Sequence, residues 1–194
     1  AAYFDYNGRY SFGRQPEAAL WALTQLGKSF NKLINEKRII EILNEFSTTF
    51  HLSLKRHFCW RIGIQDIDSK SLSEIMNVLL NESEKHKIEF ASFFYDFFGG
   101  KEAVTDCLKT NYGNKYKVEG FLKITDILKD SQSYKGALEK RKLINKNREN
   151  MLIDEVEQIW EEINKNNNWE LLEKKISKVR KLGNSLESQK LVNF

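Results

Sequence analysis

An all-α fold is what this sequence predicts, and three observations predict it. A single proline in 194 residues leaves almost nothing to interrupt long helices. Apolar residues recur at spacings of three and four along nearly the whole chain. Strand signals are scarce, with no clear period-two run and no Asn-Gly turn between alternating segments. A composition of 41% hydrophobic and 12% aromatic residues, with 13 Phe and 4 Trp, supports a buried core and argues against disorder.

Taken in order, the first helix starts on Pro16, a favoured first-turn residue, and its stripe is Ala19, Leu23, Leu26, Phe30 and Leu33. After a short break at Asn35-Glu36, a second helix carries Ile39, Leu43, Phe46, Phe50 and Leu54 on one face and ends near Gly63. A third opens at Ser71, with Glu74 completing a capping box, and carries Leu72, Ile75, Met76, Leu79 and Leu80. The segment from Ile88 to Phe98 is apolar nearly all round, which predicts a central position, and Gly99-Gly100 stops it. Shorter helices follow over Glu102–Thr110 and Val118–Lys129, then a basic helix over Tyr134–Arg148. Two amphipathic helices close the chain, with Ile153, Val156, Ile159, Trp160 and Ile163, then Trp169, Leu172, Ile176, Val179 and Leu182. The expectation is one helical domain of eight or nine helices over 1–194: a leading loop over 1–15, helices over 16–183 and a tail over 184–194. No internal repeat or second domain is predicted.

Composition also narrows the function. No apolar run is long enough for a membrane span, and the N-terminus lacks the basic-then-apolar pattern of a signal peptide. A start at Ala1 suits a piece of a longer protein or a processed one. Cys59 and Cys107 read as buried free thiols of a reducing, cytoplasmic setting. The net charge of +4 is mild, because 27 acidic residues offset most of the 31 basic ones, and it does not by itself imply nucleic acid.

The stretch GRYSFGRQPEAALWAL, Gly8 to Leu23, is the most specific segment. It resembles the signature of the selenoprotein O (YdiU-type) family. In that family a loop reading D-x-x-G-R-Y-x-F-x-x-Q-P runs into a helix reading x-x-A/G-L-W-x-L-x-x-L. Asp5, Gly8, Arg9, Tyr10, Phe12, Gln15, Pro16, Leu20, Trp21, Leu23 and Leu26 all fall in register. Weaker matches follow in family order: Phe46 to Ile64, with Arg61-Ile62-Gly63-Ile64 at a K-L-G-L position, then DSKSLSEIMNVLL and IEFASFFYDF. In the last of these Glu89 stands where the family usually has Asp, and Tyr95 where it has Arg. The match over Met151 to Val179 is loose.

The resemblance implies the C-terminal lobe of a protein-kinase-like fold, in an enzyme that transfers AMP from ATP to Ser, Thr or Tyr hydroxyls of proteins. Such chemistry needs cations on the triphosphate and carboxylate-held magnesium. In the family those groups lie upstream of the G-R-Y loop, and their motifs do not occur here. The chain is therefore expected to bind neither ATP nor Mg2+ itself, to be inactive alone, and to serve as a scaffold or substrate-facing surface. Its implied partner is the N-terminal kinase-like portion of the same protein, with a protein substrate possible and neither membrane nor nucleic acid expected. The family's redox-sensitive cysteines have no counterpart in Ala1 to Phe4 or in the closing LVNF.

No catalytic or metal residue is assigned. Asp5, Gly8, Arg9, Tyr10, Arg14 and Gln15 are candidates for an active-site rim, because an Arg and free N–H groups near a helix start can contact phosphate. The alternative is that Arg9 and Gln15 pin the loop to a kinase-like core while Tyr10 and Phe12 pack. Trp21 reads as core. His51, His57, Cys59, His86 and Cys107 are too few and too scattered for zinc, and His57 and Cys59, two apart, face different sides of a helix. The basic stretch Lys135–Arg148 is a solvated face on one reading. On the other it is a surface for RNA or an acidic protein, which would make the chain a stand-alone binding module or a catalytically dead regulator.

Overall fold

The computed structural model describes residues 5–8 and 10–186, so Arg9, the stretch 1–4 and the tail 187–194 lie outside the described residues. Within them the chain is all-α, as its spacing predicts. Nine α-helices run in order: α1 Gln15–Ser29, α2 Glu36–Ile62, α3 Ser69–Glu82, α4 Phe90–Asp96, α5 Lys101–Leu108, α6 Glu119–Lys129, α7 Ala137–Lys146, α8 Ile153–Asn166 and α9 Glu170–Leu186. Extended pairing among the described residues amounts to an isolated antiparallel bridge between Ile64 and Ser133. The chain divides into two compact units, residues 1–58 and 59–194, so the last turn of α2 belongs to the second.

The first unit is α1 and most of α2. Gly27 is where the two helices come closest: a Cβ there would meet Ile39 Cγ2 at 2.7 Å. The predicted stripe of α2 is recovered, since Ile39, Leu43, Phe46, Phe50 and Leu54 are half-buried among exposed neighbours, and Phe46 stacks on Phe50 with ring centroids 6.1 Å apart.

The second unit has a dense aromatic core. Phe93, Phe97, Phe98, Tyr116 and Phe121 are fully enclosed. Their rings meet edge-on or tilted, Phe93 to Phe97 at 5.2 Å, Phe97 to Tyr116 at 4.6 Å and Tyr116 to Phe121 at 5.7 Å, as aromatic quadrupoles favour. The α4 segment is central, as its unbroken apolar character predicts. Residues 92–100 are all buried. Gly63 and Gly99 let two backbones touch: Gly99 N donates to Ile62 O at 2.8 Å, and a Cβ on Gly63, at φ +76°, would sit 2.9 Å from Gly99 N.

Three details correct the sequence reading. The N-cap of α3 is Asp68, not Ser71: its carboxylate accepts from the Lys70 and Ser71 amides at 3.0 Å, so the helix starts at Ser69. An ionised cap next to the helix start is the stronger acceptor, and the Ser71 side chain, joined by the Ser71 and Lys70 amides, draws the Asp68 carboxyl below its ordinary pKa. Val78 takes the core position expected of Leu80, which is 43% exposed. Trp21, read as core, is 52% exposed. The first unit consists of little more than two helices, and a pair of helices cannot enclose apolar residues placed around most of both circumferences.

Candidate functional site

The signature loop is held by its own residues. Asp5 anchors it twice: its backbone oxygen accepts from Gly8 N at 3.1 Å and its Oδ2 from Tyr10 N at 2.8 Å. Gly8 has φ +60°, the left-handed conformation that glycine adopts without strain. Ser11 N returns to Gly8 O at 3.1 Å, and a short 3-10 turn, Phe12–Arg14, leads into α1. Arg14 closes the loop from the other side, donating Nη1 to Asn7 O and Nε to Glu17 Oε2, both at 3.1 Å. Pro16 sits in the first turn of α1 and Gln15 is exposed at its start. The structure thus brings Asp5, Gly8, Tyr10 and Arg14 into one turn, while the aromatic rings point out, with Tyr6 92%, Tyr10 51% and Phe12 63% exposed.

Behind the loop, α1 and α2 form an apolar groove of about 510 Å3 lined by Leu23, Leu26, Gly27 and Phe30 of α1, Ile34 of the connecting turn, and Ile39, Ile42, Leu43, Phe46 and Phe50 of α2. No residue of α1 is buried, although it carries Ala19, Leu23 and Leu26 of the predicted stripe; the helix stops at Ser29, so Phe30 and Leu33 fall in the turn beyond it, a correction to the sequence reading. Leu26, Leu33, Ile40, Ile42 and Leu52 are all about half exposed or more. A continuous apolar surface of this kind marks an interaction site.

The other sequence candidates resolve differently. Cys59 and Cys107 are buried and outside any disulfide, and burial raises the Cys107 pKa to about 11, which leaves it protonated and unreactive at neutral pH. His51 and His57 are exposed and His86 pairs with Glu82 at 3.2 Å. Among the described residues no group of three or more His, Cys, Asp or Glu is placed to hold a metal ion. Much of the basic stretch is occupied. Arg141 Nη1 meets Asp106 at 2.9 Å, Arg148 Nη1 meets Asp96 at 2.7 Å, and Lys140 is buried, its pKa lowered by desolvation.

One cluster escaped the sequence reading. Asp96, with its side chain only 2% exposed, accepts from Tyr116 Oη at 2.5 Å and pairs with Arg148 and, at 3.3 Å, Lys115. The signal was a lone acid inside the aromatic run FFYDFF, because a buried carboxylate requires partners. Desolvation, reinforced by that carboxylate, pushes the Tyr116 phenol far above its ordinary range. The cluster ties α4 to the turn before α6 and to the end of α7, a structural arrangement.

Fold and loop together define an all-helical unit whose leading two helices present an open apolar groove and are entered through a preformed aromatic turn. Sequence comparison supplies the family. The profile described as "Protein adenylyltransferase SelO" matches residues 1–180, and the chain belongs to that family. Its relatives include proteins named "Protein nucleotidyltransferase YdiU". That of Photobacterium profundum is 41% identical over 58 residues, covering 30% of this chain and 10% of the relative. That of Trichormus variabilis is 25% identical over 96 residues, covering 50% and 20%. That of Rhodopseudomonas palustris is 25% identical over 127 residues, covering 61% and 25%. The chain thus spans between a tenth and a quarter of these curated relatives. No solved structure matches it. No helix among the described residues is long and apolar enough to cross a membrane.

Proposed function

We propose that this chain is the C-terminal helical portion of a SelO-type protein nucleotidyltransferase, and that its first unit is the seat on which the kinase-like catalytic portion packs. The observation that carries this is α1, a 15-residue helix that opens on Gln15 and Pro16 of the family signature and carries Ala19, Leu23 and Leu26 with no buried residue. Burying half-exposed Leu, Ile and Phe side chains against a further surface supplies roughly 25 cal/mol for each Å2 removed from water. The chemistry, AMP transfer from ATP to a protein hydroxyl, belongs to the absent portion. In this reading Asp5 serves the Tyr10 amide, and Arg14 serves Glu17 and Asn7, as holders of the turn rather than as ligands of a nucleotide or cation. By the same reading Tyr6, Tyr10 and Phe12 form a rim contacting the catalytic portion or its protein substrate, and the setting is the cytoplasm, in keeping with two buried cysteines outside any disulfide.

The test is the intact mass of the native product in its own cells. A product much longer than 194 residues is expected, and in it Leu26→Asp, which charges the groove, should abolish AMP transfer while leaving the nucleotide site untouched. A native product of this length would remove the proposal and favour a binding module or an inactive regulator.

A further inference from the structure

Among the described residues, the last two helices of the second unit carry exposed apolar stripes of their own. On α8, Ile153, Val156 and Trp160 follow one another at helical spacing and are 67%, 38% and 63% exposed. On α9 and the residue before it, Trp169, Ile176 and Val179 repeat the pattern at 50%, 40% and 42%. The two helices are tied to each other underneath, where buried Lys175 reaches Glu149 at 2.6 Å and also meets Glu155 and the Asn150 carbonyl. Two half-exposed tryptophans in successive helices are more than the scattered apolar residues of an ordinary surface.

Charge identifies the occupant. Apart from Glu155 and Lys175, which pair with each other, and the Glu161–Lys165 pair within α8 and the Glu170–Lys174 pair within α9, α8 presents Asp154, Glu157 and Glu162. On the same basis α9 presents Lys178, Arg180 and Lys181 against Glu173. The charges flank the stripes: Glu157 lies one turn from both Ile153 and Trp160, and Arg180 one turn beyond Ile176. Laying α8 on another α8, or α9 on another α9, would oppose like charges. Laying α8 on α9 matches apolar stripe to apolar stripe and acid to base. One hairpin carries both halves of that match, so a second copy of the same hairpin satisfies both at once, as an isologous pair requires.

We propose that two copies of this chain associate through α8 and α9, with α8 of each lying against α9 of the other. The association rests on the Trp160 and Trp169 stripes and is given its register by Glu157 and Arg180.

The test is sedimentation velocity on the 194-residue chain over a dilution series at low salt. A concentration-dependent dimer is expected, weakening as salt is raised. Glu157→Lys and Arg180→Glu, each made alone, should sediment as monomers with unchanged helical circular dichroism. Mixed, they should recover the dimer, because acid and base then face each other again at both contacts. Trp160→Lys should give a monomer that no mixture rescues. A wild-type chain that stays monomeric throughout would overturn the proposal, leaving the face to a different protein or to another part of a longer chain. A dimer abolished by Leu26→Lys but indifferent to Trp160→Lys would overturn it equally, by placing the contact in the first unit.

Discussion

The two units carry the same sequence pattern to opposite ends. In residues 59–194, apolar periodicity produces a closed core in which five aromatic side chains are fully enclosed. In residues 1–58, helical periodicity produces two helices with an open groove and an α1 without a buried residue. A periodic apolar face states that something must cover it. It does not state whether the cover lies in the same chain. The second unit supplies its own cover because α3 and α5 both pack on α6, and α4 packs on α5 and α7. The first has two helices and runs out of surface.

The largest effect that would test this contrast is in the core. Phe97→Ala should cost about 3–5 kcal/mol in a urea melt, because Phe97 is fully buried against Phe93 and Tyr116. Leu26→Ala, in the open groove, should cost less than about 1 kcal/mol in this chain. Equal losses would mean that the groove is closed in solution.

Next is the buried charge. Asp96→Ala leaves Arg148, Lys115 and the Tyr116 hydroxyl without their shared acceptor, and the expected loss is on the order of 3 kcal/mol. A loss below that of an exposed substitution would show the cluster to be solvated.

A smaller effect follows from Cys107. Burial first, then the nearby Asp96 charge, raise its pKa from an ordinary 9.0 to about 11. The folded state therefore holds this proton more tightly than the unfolded one. Its contribution is complete below pH 9.0 and is lost as the pH climbs through about 11. Urea melts stepped through that window should fall more steeply for the wild type than for Cys107→Ala, and parallel profiles would contradict the assignment.

Arg61 should matter less. Its guanidinium stacks over Phe94 and Tyr95 at 5.4 and 4.9 Å, its Nη1 is enclosed without a hydrogen-bond partner, and desolvation lowers its pKa. Arg61→Met keeps the stacking volume and removes the buried charge, so the melting temperature should hold or rise. The smallest effect is expected at Trp21, half exposed on α1: Trp21→Ala should change this chain's stability by no more than about 0.5–1 kcal/mol. In a longer product it should act on assembly with the catalytic portion instead.

Much of the fold was legible in the sequence. The α2 stripe from Ile39 to Leu54, the central position of the Phe93–Phe98 segment and the stop at Gly99-Gly100 follow from local spacing and from glycine's freedom at positive φ. The site was legible in part. Asp5, Gly8 and Arg14 stand out by pattern, but that they hold a turn and leave Tyr10 and Phe12 outward needed coordinates. The cap at Asp68 was missed because Ser71-x-x-Glu74 is an equally good local signal, and only the helix start itself separates the two.

By itself the sequence determined that this protein is helical, where its helices break and which family its first thirty residues resemble. These are properties of neighbouring residues, set by propensity, periodicity and typed spacing. Only the tertiary structure decided which apolar faces are closed: that Asp96 finds Tyr116 and Arg148 across twenty and fifty-two residues, and that Trp21, Trp160 and Trp169 stay half exposed. Burial is a relation between distant segments, and a helix carries the same stripe whether or not another segment arrives to cover it.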